Sequence, residues 1–255
     1  MKRLATALVL IPLLTWIILA GPAWAFMLAA AATGLLAFHE YDQISAAHGL
    51  ERAGIPGMVA GVALLLAPAP EIVMVLIALA GMTLALRIRD LARVLPGAAA
   101  FLLGVIYIFG PWRCAISLRE INHHWLMFAL LLSWAGDTVA FYAGGVWGRH
   151  KMAPNVSPGK SWEGAIGSIA GAMLAGGVYA HYLLPGASVG MVLGLAVAGN
   201  VAGQLGDLCE SALKRGAGVK DSGSSLPGHG GWLDRIDSSL FSIPVIYALL
   251  KMIKV

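Results

Sequence analysis

A chain of 255 residues has room for one or two soluble domains, but 59% hydrophobic and only 12% charged residues exclude a water-soluble globule, for which about 25% charged is ordinary. Apolar runs recur with brief polar gaps along the whole chain, so the composition describes one membrane domain. The net charge of +4 comes from 17 Lys and Arg against 13 Asp and Glu, and these cations sit in short segments between apolar runs instead of on one face, which argues against a nucleic-acid partner.

A helix needs about 20 apolar residues to cross the hydrocarbon core, with roughly 17 to 25 tolerated. Nine stretches reach or approach this length, at approximately 4–20, 22–38, 55–67, 71–86, 94–111, 125–146, 162–184, 188–206 and 238–253. The expected fold class is therefore an all-α polytopic membrane protein with about nine transmembrane helices. Lys2 and Arg3, the first apolar run and Ala23-Trp24-Ala25 imitate a cleaved secretory signal, but Pro12 and the aromatic residues of the run suit a retained span. Pro68 and Pro70 leave open whether the third and fourth stretches form a full hairpin or a re-entrant one.

Counting cations fixes the expected orientation. With nine spans and a cytoplasmic N-terminus, thirteen of the 17 Lys and Arg residues fall inside, and only Arg113, Arg119, Lys251 and Lys254 fall outside. Residues 1–124 then form five N-terminal spans, and 125–255 form a C-terminal region with cytoplasmic loops at 147–161 and 207–237. The two cysteines, Cys114 and Cys209, face opposite sides and should not pair. Gly167 and Gly171, Gly190 and Gly194, and Gly199 and Gly203 have the four-residue spacing of close helix packing.

Asp137 lies within the sixth expected span, roughly ten residues from its inside end, and an ionisable group at that depth implies a polar cavity open to the cytoplasm. A hydrogen bond to Ser133 or a neighbouring helix is the alternative. The segment His39-Glu40-Tyr41-Asp42 ends the second span on the same side, without a role legible from sequence.

The loop 147–161 and the following helix start contain Gly159-Lys160-Ser161, which invites comparison with a P-loop. That comparison fails, because Pro154 occupies the first glycine position and no strand is expected before it. What remains is a lysine beside a helix start, with Ser161 as N-cap and lipid-headgroup snorkelling as the other use of Lys160.

The longer loop, 207–237, holds the carboxylates Asp207, Glu210, Asp221, Asp234 and Asp237 interleaved with Lys214, Arg215, Lys220 and Arg235. Hard oxygen ligands of this kind suit Mg²⁺, which takes one or two carboxylates together with waters and substrate phosphates. Asp234 and Asp237, three residues apart, share a face if the last helix starts there, although helix capping would explain one of them. The run Pro227-Gly228-His229-Gly230-Gly231 would let backbone amides approach a phosphate, or would simply be a turn.

From Ser211 to Asp237 the chain reads S-A-L-K-R-G-A-G-V-K-D-S-G-S-S-L-P-G-H-G-G-W-L-D-R-I-D, which resembles the signature of the phosphatidate cytidylyltransferase (CDP-diglyceride synthase) family. G-D-T-V-A-F-Y-A-G-G-V-W-G-R-H from Gly136 and S-P-G-K-S-W-E-G from Ser157 resemble family segments in the same order. Trp232 departs from the family, which carries an aliphatic residue or Phe there, but the position is apolar either way. The first five spans match only as hydrophobic segments.

The resemblance implies transfer of a cytidylyl group from CTP to phosphatidate, giving CDP-diacylglycerol and pyrophosphate, with Mg²⁺ and a possible second cation. It makes Asp207, Asp234 and Asp237, then Asp221, the expected metal ligands, with Lys220 and Arg235 in the catalytic set. Ser157, Lys160, Lys214, Arg215, Gly228, His229, Gly230, Gly231 and Asp137 are the expected substrate-binding residues. Expected partners are CTP, phosphatidate and membrane lipids. A homodimer is left open, and a bacterial inner membrane with the site on the cytoplasmic side is the expected location. Alternatives are a CTP-dependent lipid-alcohol kinase, which would release CDP, and a transporter, against which no internal repeat is visible. A CDP-alcohol phosphatidyltransferase lacks support because its D-G-x-x-A-R run is absent.

Overall fold

A computed structural model describes residues 12–225 and 230–254. Lys2, Arg3, Gly228 and His229 lie outside the described residues. Residues 12–19 are helical and are labelled α1 here. There follow α2 (Ala23–Ala47), α3 (Gly54–Leu66), α4 (Pro70–Ala85), a 3₁₀ turn (Leu91–Arg93) and α5 (Val94–Trp147). A two-stranded antiparallel hairpin, β1 (Lys151–Ala153) and β2 (Ser157–Ser161), leads into α6 (Trp162–Leu183), α7 (Val189–Gly216) and α8 (Leu233–Met252).

Among the described residues, four helical runs are long and apolar enough to cross a membrane: Ala23–Ala47, Leu91–Trp147, Trp162–Leu183 and Val189–Gly216. Together with the shorter apolar helices α3 and α4, they fit an all-α integral membrane protein. The expected fifth and sixth spans both lie within α5, which is broken at Asn122 (φ −165°, ψ 122°). There the Asn122 Oδ1 accepts a hydrogen bond from the His124 amide at 2.9 Å, capping the second half of the helix.

The expected loop 207–237 is shorter than the sequence suggested, because α7 continues ten residues past its apolar part, to Gly216. Ala212, Leu213, Lys214 and Arg215 are good helix formers, and Lys214 and Arg215 in the last turn complement the negative end of the helix dipole. Gly218, at φ +73°, then closes a Schellman-type end in which the Val219 amide donates to Lys214 O and the Gly218 amide to Arg215 O, both at 3.0 Å. At the other end, 233–237 belong to α8, so Asp234 and Asp237 do stand at helical spacing.

The chain divides into two compact units, whose boundaries in the described residues fall between α1 and α2 and inside α5, α7 and α8. Among the described residues, the first holds 23–113 and 213–235, so the segment between α7 and α8 clusters with the N-terminal helices. Its interior is built by aromatic rings seated on glycines: Phe109 fills the space over Gly34 and Gly61, Phe38 that over Gly57, and Tyr41 that over Gly104. Phe38 and Phe109 are fully buried, with ring centroids 5.8 Å apart.

The second unit holds 12–22, 114–212 and 236–254. Here the sequence's glycine pairs are partly explained. Gly167 and Gly171 face Ala143 and Val139 of α5, and Gly199 and Gly203 face Leu132, Ile246 and Ser238. Gly190 and Gly194 meet nothing within 4 Å, so that pair packs no helix in the described chain. Cys114 and Cys209 form no disulfide.

Candidate functional site

The hairpin corrects the expectation that no strand precedes Lys160, although an antiparallel pair is still not a P-loop, whose strand runs directly into its glycine loop. Ala153 pairs with Ser157 and Lys151 with Ser161. Ser161 caps α6 as expected, its Oγ accepting from the Gly164 amide at 3.2 Å. The His150 amide and ring donate to the Glu163 carboxylate, with Nδ1 2.5 Å from Oε1, which ties the hairpin's start to the same helix turn.

The hairpin has to lie close against α5 and α6, and the glycines of the 136–150 segment allow it. A side chain at Gly148 would strike Gly144 O and the Ser161 hydroxyl, and one at Gly164 would come within 3.3 Å of Gly144 Cα. β2 thereby delivers Lys160 to a cavity of about 280 Å³ in the second unit, lined by Asp137, Ser161, Ser168, Gln204 and Asp207, among others. Lys160 Nζ lies 2.7 Å from Asp207 Oδ2 and donates to Gln204 O at 3.3 Å. Asp137 lines this cavity together with Lys160 and Asp207.

A buried amide network that sequence reading missed supports one side of this cavity. Asn200 Nδ2 donates to Ser168 Oγ (3.0 Å) and Leu132 O (3.3 Å), while its Oδ1 accepts from Gln204 Nε2 at 2.7 Å. Gly136 has no room for a side chain beside Asn200 and Ser168. The signal was the presence of two amides in an otherwise apolar span.

Asp237 is not among the cavity residues. Its carbonyl lies 2.6 Å from where a Cβ of Gly206 would sit, so α7 and α8 cross closely one residue before Asp207. Among the described residues no three His, Cys, Asp or Glu side chains gather as a metal site. The donor set thus fits an ion held by one or two carboxylates and completed by phosphate oxygens and water, and does not fit an all-protein cage.

In the first unit the signature segment is held by two carboxylates. Asp234 Oδ1 is 2.5 Å from Lys214 Nζ, with side chains only 6% and 10% exposed. Asp234 Oδ2 accepts from the Ser222 amide (3.0 Å) and the Gly231 amide (2.8 Å). Desolvation pushes the Asp234 carboxyl up, but the Lys214 ammonium and these amides together outweigh it and hold it below the usual carboxylate range. Lys214, expected to neutralise substrate phosphate, pairs with Asp234 in this structure.

The second carboxylate is Glu40, near the end of α2 and 1% exposed. Its Oε1 accepts from Ser225 Oγ (2.6 Å) and the Trp232 amide (3.0 Å), and its Oε2 from Ser222 Oγ (2.8 Å) and the Leu233 amide (2.9 Å). Gly231 is side-chain-free because Glu40 and Ser222 occupy that space, a tighter reason than phosphate approach, and Gly230 adopts φ +79°. Arg215, Lys220, Asp221 and Arg235 are exposed, with Arg215 donating to Val219 O at 3.0 Å. Ser157 is half-buried at the start of β2.

Among curated proteins the chain is similar to the phosphatidate cytidylyltransferase of Staphylococcus aureus, at 39% identity over 153 residues, which is 60% of this chain and 59% of that protein. It is similar at 38% over 153 residues to that of Staphylococcus haemolyticus, with the same coverage, and at 43% over 123 residues to that of Haemophilus influenzae, covering 47% of this chain and 43% of the relative. The chain spans about three fifths of the length of the staphylococcal relatives it matches. The model of the cytidylyltransferase family, in contrast, matches residues 1–253 and so takes in the N-terminal helices, Glu40 among them, as well as the signature. On this whole-chain match, the chain belongs to the cytidylyltransferase family.

Proposed function

We propose that this protein transfers the cytidylyl group of CTP to phosphatidate, forming CDP-diacylglycerol and releasing pyrophosphate, as a nucleotidyltransferase of phospholipid synthesis. The observation that carries the reading is the Lys160 and Asp207 pair in a cavity between apolar helices, with Lys160 on a segment that resembles the family. Phosphate binding beside carboxylates needs both signs of charge within a few ångströms, and this cavity has them.

The nucleophile is a phosphate monoester whose second pKa is about 6, so it is largely dianionic near neutral pH and needs no strong base. Attack of a phosphatidate oxygen on the α-phosphorus of CTP forms the new P–O bond as the bond to pyrophosphate breaks. Positioning and charge neutralisation then supply most of the catalysis. Within the second unit Lys160 would meet phosphate oxygens; within the first, Arg215, Lys220 and Arg235 on the exposed segment carry the charge that suits a nucleotide triphosphate. Asp207, with Asp137 in the same cavity, would hold Mg²⁺, and Asp234 would act through the fold of the segment. The bound ion, when present, would stabilise the charge of the departing pyrophosphate.

In this reading nine spans, an inside N-terminus and an outside C-terminus place the cavity on the cytoplasmic face of a bacterial inner membrane. Reporter fusions are expected to place residue 160 inside and residue 120 outside. An outside position for 160 would overturn the site assignment.

Purified protein in detergent, given CTP, phosphatidate and Mg²⁺, is expected to put label from the α-phosphate of CTP into lipid and to release pyrophosphate. Transfer of γ-label into lipid with release of CDP would identify a CTP-dependent lipid kinase instead.

A further inference from the structure

We infer that Glu40, a residue of α2 far from the signature in sequence, is the positioning residue that shapes the nucleotide-binding segment. The inference rests on the cytidylyl-transfer reading above and adds to it a residue that would touch neither substrate.

Burying a carboxylate is costly unless its oxygens are met by donors, and an apolar residue would fill the same space at no such cost. Here each oxygen of Glu40 is met by two donors, one hydroxyl and one backbone amide. The donors fall on both sides of residues 226–229 in sequence: Ser222 and Ser225 before them, Trp232 and Leu233 after. One side chain therefore ties Ser222 and Ser225 to the start of α8. The Trp232 and Leu233 amides belong to the start of α8, where the first amides of a helix lack partners within the helix, so Glu40 also caps the helix that carries Asp234. The neighbouring chain is shaped to admit it, since side chains at Gly223 and Gly231 would both collide with the Glu40 carboxylate.

The arrangement distinguishes a carboxylate from its isosteric amide. A hydroxyl can rotate and accept, but a backbone N–H cannot, and each Glu40 oxygen faces one backbone N–H. In Glu40→Gln, either orientation of the amide sets its NH₂ against the Trp232 or the Leu233 amide. The variant keeps volume and loses the clamp. Glu40→Asp keeps the charge and shortens the reach, so it should restore function only in part.

The test combines two measurements on the full-length protein in detergent. Without substrates, trypsin should cleave after Lys220 about tenfold faster in Glu40→Gln than in wild type, because the segment's anchorage is lost. With substrates, KM for CTP should rise about tenfold or more while KM for phosphatidate stays within about twofold, and Glu40→Asp should fall between the two proteins. If Glu40→Gln does not accumulate, Ser225→Ala, which removes one exposed hydroxyl donor, decides, with an expected rise of about threefold in KM for CTP. Unchanged cleavage and unchanged KM for CTP in whichever variant is measured would overturn the inference. An equal rise in both KM values would also do so, since it would mark a general loss of structure. An inactive wild type would overturn the transfer reading and with it the nucleotide role, whereas an active wild type with an unaffected variant would overturn Glu40 alone.

Discussion

Asp207→Asn is expected to accumulate in the membrane like wild type and to lose about a hundredfold or more in turnover, the effect of removing roughly 3 kcal/mol of electrostatic stabilisation. The substitution keeps size and shape. It removes the partner that holds Lys160 at 2.7 Å in the cavity and one hard oxygen that would bind Mg²⁺. Asp207 lies on continuous helix, and its side chain is about a third exposed, so the fold does not depend on its charge. Steady-state rates across an Mg²⁺ titration check this. Partial rescue at high Mg²⁺ would indicate lost affinity, and no rescue would indicate lost geometry. Asp221→Asn, at an exposed position, should be mild by comparison. Wild-type rates for Asp207→Asn at limiting Mg²⁺ would remove Asp207 from the reaction.

Asp234 should behave differently, because its surroundings are those of a buried ion pair. Removing one partner of such a pair typically costs about 3–5 kcal/mol, since it strands the other charge out of water. Asp234→Asn and Lys214→Met are therefore each expected to lower the thermal stability of the detergent-solubilised protein. The double variant should be more stable than either single one, as no charge is then left unpaired. Acid should reproduce the effect. The folded-state pKa of Asp234 is depressed, so its contribution is fully present above the ordinary carboxylate value and is lost as pH falls through the lower folded value. Wild type should lose stability in that window, and the double variant should lose less. Equal melting temperatures for the three variants would show that the pair does not hold the segment.

Sequence alone carried the membrane class, because 59% hydrophobic residues in recurring runs admit few other solutions. It also carried the family, because the 27 residues from Ser211 to Asp237 combine glycines, carboxylates and cations at fixed spacing. Helix ends were less legible. Hydropathy marks where the bilayer ends, but the backbone hydrogen bonds of α7 continue beyond it to Gly216, so Asp207, Lys214 and Arg215 stand on a helix and not in a loop.

Which charge meets which is settled by tertiary packing. Lys160 and Lys214 look alike as basic residues beside family motifs, yet one faces Asp207 in an open cavity and the other is buried against Asp234. Glu40 had no reading at all, since its four donors lie more than 180 residues away in the chain. Hydrophobic pattern and motif spacing are local properties, and a sequence displays them directly. The partner of a buried charge is set by how distant helices pack, and for Glu40 and Asp234 that packing determined the chemistry.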